Sequence, residues 1–241
     1  MMEPNAFATD VAFRCNRINC PKSVGLDRLK NLRKYIRRKH RADHDQHVNR
    51  KPNGPGLALG VFSTQPAGAN APVSGRTTVY TVYRCRRVGA RPLTVTFPHD
   101  NNALMGYVSA LERAMMLLGL DHLPALAIRR WPYAHARGHS GSGAILCAVV
   151  SLLTNSLCRS DTAVSVNVDG FTDLLFGVGL LAAKAHGARE ARLTRLVLAT
   201  QDREQWEALP AADTHEVTAV FVGTGRQLLA EMFMRLPWEE Q

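Results

Sequence analysis

Residues 137–154 read "RGHSGSGAILCAVVSLLT". Three glycines and two serines stand between positions 138 and 143, and an uncharged apolar run follows directly. Gly138, Gly141 and Gly143 free the backbone for positive φ and let another chain come close. The apolar run predicts a buried helix that starts near Ser140. The first N–H groups of such a helix lack intrahelical acceptors and form a partial positive pole. A hydroxyl placed there is supported as it gains negative charge, and the same N–H groups suit an oxyanion or a phosphate. Ser140 is therefore a candidate nucleophile, and the three glycines form a candidate oxyanion turn. A serine serving only as an N-cap explains the same spacing. The turn is no Walker A loop, because no "GK[ST]" follows, and it fits G-x-S-x-G only loosely.

Outward from this turn, strand and helix patterns alternate. Leu57–Thr64, residues 76–87, 92–97 and 124–130 read as strands. Residues 101–119 read as a helix with Leu104, Val108, Leu111, Met115 and Leu118 on one stripe, capped by Asn101 or Asn102 and ended by Gly119. After the turn, 162–168, 193–199 and 215–222 read as strands, and 177–190, 202–209 and 225–236 as helices. No internal repeat is evident.

The segment from Gly138 resembles the proteolytic domain of Lon proteases. In that family the catalytic serine lies in a "G-P-S-A-G" turn before an apolar helix ending in "L-T-G", followed by "R-x-D" and a strand. Here "GHSGSGAILCAVVSLLTNSLCRSD" follows the pattern without a gap. Ser140 falls on the nucleophile, Leu153 and Thr154 on the helix end, and Arg159 and Asp161 on the "R-x-D". Residues 174–188, "LLFGVGLLAAKAHGA", resemble the family's "G-G-L-K" segment, and "PGLALGVFST" its opening strand. The resemblance implies an α+β fold, shared with the second domain of a small-subunit ribosomal protein, with a left-handed crossover.

The family pairs its serine with the lysine of "G-G-L-K". Counted without gaps, that position is Leu181, and the family's "T-G-E" becomes Ser165, Val166 and Asn167. Lys184 lies one helical turn beyond Leu181 on the same face. Helical side chains lean toward the helix N-terminus, so Lys184 leans back over position 181. Burial there would lower its proton affinity toward a useful base. His139 and His135 are the other candidate bases. No P-loop occurs, so the unfolding motor of Lon enzymes is not expected in this chain.

The basic charge lies toward the N-terminus. Residues 1–51 hold 13 Lys and Arg against 5 Asp and Glu, while the other 190 residues hold 17 against 15. Within this arm, residues 13–40 resemble an incomplete Cys-Cys-His-His zinc finger. Cys15 and Cys20 match the cysteine pair, Leu32 the core leucine and His40 the last histidine. Tyr35 occupies the usual first-histidine position, and His44 restores a His-x₃-His spacing. The resemblance implies one zinc ion at Cys15, Cys20, His40 and His44. The competing reading is a basic helix or a solvated tail. Arg33, Lys34, Arg37, Arg38 and Lys39 suit a phosphate backbone, so nucleic acid is an expected partner for residues 14–51.

The expected organisation is a basic arm over 1–51, a Pro/Gly-rich linker with the first strand over 52–75, and a Lon-protease-like domain over 76–241. Five cysteines at irregular spacing, with Cys85, Cys147 and Cys158 in apolar contexts, favour a reducing intracellular compartment, nucleus or mitochondrion included. "MMEPNAFATD" lacks the basic start and apolar block of a secretory signal. No uncharged apolar run reaches the roughly 18 residues of a bilayer span, so no membrane partner is expected. The main domain is expected to need no cofactor. Three functions compete: a Lon-type domain with impaired catalysis acting as a binding or assembly module, with protein partners or copies of itself; an active serine endopeptidase using Ser140 and Lys184; and a nucleic-acid binder acting through the arm.

Overall fold

The computed structural model describes residues 55–64, 73–84, 93–95, 100–131 and 138–234. They form strands β1 (Leu57–Thr64), β2 (Ser74–Arg84) and β3 (Leu93–Val95), helix α1 (Asn101–Leu118), strand β4 (Leu126–Trp131) and helix α2 (Ser142–Thr154). Strands β5 (Thr162–Val164), β6 (Asn167–Val168) and β7 (Leu175–Phe176) follow, then α3 (Leu181–Glu190), β8 (Arg195–Ala199), α4 (Arg203–Glu207), α5 (Ala211–Thr214), β9 (Thr218–Val222) and α6 (Gly225–Met232). Seven strands make one mixed sheet in the order β3-β4-β2-β1-β5-β8-β9, and β6 and β7 pair separately. The β1–β2 and β2–β4 ladders are antiparallel. The other four ladders of the large sheet are parallel.

Both faces of the sheet are covered, and strand alternation feeds each one. Val197, Ala199, Val164, Tyr80 and Val82 join the core built with α1, α2 and α6. Leu196, Leu198, Ala163, Leu59 and Val61 join a second core built with α3 and Trp206 of α4. Helix α2 is buried nearly all round, as its apolar run requires. Among the described residues, no helix is long and apolar enough to cross a membrane.

Several boundaries differ from the sequence reading. Helix α1 is capped by Asp100, one residue before the expected asparagines. Its carboxylate accepts the Ala103 N–H at 2.7 Å. A charged acceptor at this positive end serves better than an amide. Replacing Asp100 with alanine is expected to cost about 1 kcal/mol in urea unfolding. Gly119 closes α1 in the left-handed conformation, as its position predicts.

The buried residues of α1 include Ala103, Gly106, Tyr107, Ala110, Arg113 and Ala114, so the face lies about one position off the leucine stripe. Small residues let α1 approach α2 closely, and Leu104, Leu111 and Leu118 flank the seam half-buried. Helix α3 starts at Leu181 rather than 177. The Gly177 N–H donates to Gln201 Oε1 at 3.0 Å and the Val178 N–H to Asp202 Oδ1 at 2.9 Å. Those donors are held by residues just beyond β8, so the segment before α3 is a loop. Cys147 and Cys158 are buried free thiols. Burial pushes the Cys158 thiol up to about 12. Cys85 lies outside the described residues.

Candidate functional site

Strands β1, β5 and β8 run parallel, and their carboxyl ends meet one edge of the sheet. Ligand sites in such sheets form at this edge. Here the chain brings together Ser63 at the end of β1, Asn167 just past β5, Gly177 to Leu180 before α3, and Gly138 to Ser140 before α2. With Lys184 they line a cleft of about 260 Å³. Ser140 and Lys184 thus face one cavity from opposite elements.

The turn before α2 is shaped by its glycines. Gly138 has φ +69°. A Cβ on Gly141 would strike the Tyr80 hydroxyl, and one on Gly143 would strike Val166. Helix α2 begins at Ser142, two residues later than expected. Its N-cap is Gly141, with no side-chain cap. Ser140 is therefore not the cap, and it lines the cleft.

The oxyanion expectation needs correction at Gly143. The Ser142 N–H donates to the His139 carbonyl at 2.8 Å, and the Gly143 N–H to the Val166 carbonyl at 3.3 Å. Gly143 therefore serves close packing and has a backbone partner of its own. Among the described residues, the Ser140 and Gly141 N–H groups have no acceptor. Ser142, which the sequence reading passed over, accepts the Val168 N–H at 2.8 Å and bonds the Val166 carbonyl at 3.3 Å. It ties the α2 start to β6. Asn167 in turn donates to the Gly177 carbonyl at 2.9 Å and fixes the opposite wall.

Leu181, at the position the ungapped match assigns to a lysine, is buried in the core with Leu59 and Val61. Lys184 is the residue of this helix that reaches the cleft. It is 2% exposed. Burial lowers its pKa from 10.5 to about 8, while the charge of Asp202 pulls the other way. Of six lysines in the chain, five lie at or before Lys51, so Lys184 stands alone among arginines in the rest. Arginine stays charged at any working pH; lysine alone of the two can give up its proton when buried. That lone lysine is a signal the sequence held.

Asp202 was not singled out by the sequence. It is 4% exposed, just beyond β8. Burial raises its pKa, opposed by hydrogen bonds from Val178 and Ala199 and by Lys184. His139 also lines the cleft, on its exposed rim. His135 lies outside the described residues. So do Cys15, Cys20, His40, His44, Arg33, Lys34, Arg37, Arg38 and Lys39, together with the zinc and nucleic-acid expectations they carry. Among the described residues, no cluster of metal-ligating side chains occurs.

No protein-family model matches the chain. In an alignment of 219 positions that covers 86% of its length, the chain is 23% identical to Lon protease homolog 2, peroxisomal, of Caenorhabditis briggsae. It spans 26% of that protein. The likeness is to a Lon-like domain and is distant.

Proposed function

We propose that this cleft is a serine–lysine hydrolytic site acting on peptide bonds, with Ser140 as nucleophile and Lys184 as general base. The observation that carries the reading is that Ser140 and the buried Lys184 line the same cavity. Distant similarity to a Lon protease homolog supports the reaction class. The reading takes the active-peptidase alternative over the impaired binding module, because Lys184 supplies an amine where Leu181 does not.

In this mechanism the neutral Lys184 amine takes the Ser140 hydroxyl proton as Oγ bonds to the peptide carbonyl carbon. The Ser140 and Gly141 N–H groups are the donors available to the developing oxyanion. The C–N bond then breaks, the leaving amine carries off that proton, and an acyl-serine remains. Water adds to the acyl carbon while Lys184 takes its proton. The acid product leaves as Ser140 recovers its hydrogen. With the Lys184 pKa at about 8, the amine is neutral often enough to work near neutral pH.

The test is labelling with a fluorophosphonate probe and hydrolysis of fluorescein-labelled casein by the full chain. Both are expected to rise with pH through about 8 and to vanish in Ser140→Ala. Lys184→Arg should abolish both as well, because a guanidinium cannot act as base. Labelling that survives Ser140→Ala, or that vanishes in His139→Ala but survives Lys184→Arg, would overturn the assignment.

A further inference from the structure

We propose that Asp202 is the positioning residue of this cleft: its carboxylate clamps the loop that leads into α3 and supplies the negative charge that Lys184 faces. The inference rests on reading Lys184 as the base, and it concerns how the fold holds and tunes that base.

Three observations converge on Asp202. First, Oδ1 accepts the Val178 N–H at 2.9 Å. Gly177 lies so close that a Cβ there would sit 2.5 Å from the same oxygen. The carboxylate is thus packed against the loop whose residues 177 to 180 form one wall of the cleft. Second, Oδ2 is buried and, among the described residues, meets no hydrogen-bond donor at full geometry. A buried carboxylate oxygen left without a partner is costly, and such a group persists where a nearby opposite charge offsets the cost. Third, Lys184 is the positive charge that favours the ionised carboxylate. Each of the two residues acts electrostatically on the other. No direct ion pair joins them, so the amine is not locked onto the carboxylate. It keeps its place on the cleft.

This arrangement explains why the position holds an aspartate. An asparagine would also offer Val178 an acceptor oxygen, but it would carry no charge. Asp202 is the charged group whose pull opposes the burial of Lys184. The acids and bases elsewhere on α3, His186, Arg189 and Glu190, engage one another and His215 at the far end of the helix. The proton affinity of Lys184 is thus set by burial on one side and by Asp202 on the other. Removing the negative charge disfavours the protonated amine, so the Lys184 titration should move to lower pH.

The experiment is a titration of the full chain labelled with [¹³Cε]lysine, followed by NMR. Lys184→Met identifies the resonance. The wild-type midpoint is expected near pH 8. In Asp202→Asn it should fall by roughly one pH unit. The acid limb of casein hydrolysis should fall by the same amount, with KM little changed. A midpoint that stays in place or rises in Asp202→Asn would overturn the proposal. If Asp202→Asn does not fold, the aspartate ¹³Cγ spectrum decides instead. One carboxyl midpoint must rise between wild type and Lys184→Met, and no movement overturns the proposal. The lysine titration reads Lys184 without any turnover, so this inference can fail while hydrolysis holds, and hold while hydrolysis fails.

Discussion

Gly75→Ala is expected to destabilise the protein by about 3 kcal/mol and to return Lys184 toward the proton affinity of a free lysine. The cause is a contact between two backbones. A Cβ on Gly75, in β2, would fall on the carbonyl group of Ala183, in α3. From the other side, a Cβ on Gly187 would lie 2.6 Å from the Arg76 nitrogen. The Thr77 hydroxyl donates to the Gly187 carbonyl at 2.9 Å and pins the helix at this point. Neither a strand nor a helix backbone yields locally, so an added methyl must lift α3 as a unit. Lifting it separates Leu181, Ala185 and Ala188 from Leu59 and Val61. It also opens Lys184 to water, which removes the desolvation that holds its pKa down. Urea unfolding gives the stability change, and lysine NMR gives the titration. Wild-type stability with an unmoved Lys184 midpoint would show that the helix tolerates the methyl.

Lys184→Met should have the opposite sign on stability while removing hydrolysis. A lysine whose folded pKa is about 8 against 10.5 costs the fold roughly 3 kcal/mol below pH 8, where both states are protonated. Between about pH 8 and 10.5 the unfolded chain still binds the proton that the folded one has lost. Unfolding free energy therefore rises with pH across that window, and the penalty is gone above it. Methionine has similar length and no charge, so it should recover part of this cost at neutral pH. The expected result is a protein more stable than wild type by about 1–3 kcal/mol at pH 7, whose stability no longer climbs through pH 8 to 10.5 on account of this residue. Equal stability of the two proteins at pH 7 would mean that Lys184 is already neutral or well solvated when folded. A residue that weakens the fold and lines a cleft is a familiar sign of function held against stability.

Much of the scaffold was readable from the chain. The limits of β1 are legible to the residue because a mostly apolar stretch, LALGVFST, lies between Gly56 and the Gln65-Pro66 step. The existence of α1 and its Gly119 end followed from periodicity and a left-handed cap. The face of α1 was missed by one position, because alanines carry little signal and yet decide how closely two helices pack. The sequence pattern starts α3 four residues too early, since nothing local shows that the Gly177 and Val178 donors go to Gln201 and Asp202. Strand β2 starts at Ser74, inside a stretch that reads as linker, because a glycine chosen for contact with α3 looks like a glycine chosen for a loop.

The candidate site divides along the same line. The serine turn, its glycines and the buried helix behind it are local features, and the sequence by itself determined them: small residues allow the turn, and an uncharged run must be buried. It also holds a single lysine among the arginines beyond residue 51. What only the tertiary structure decided is which residues meet. Ser140, Asn167, Lys184 and Asp202 come from four separate segments and converge because parallel strands deliver their carboxyl ends to one edge. Leu181 or Lys184 as the cleft residue was settled by the seating of α3 on β2, where Gly75 and Gly187 set the helix close and buried leucine points to the core. No spacing rule encodes that choice, because it depends on contacts between positions more than a hundred residues apart.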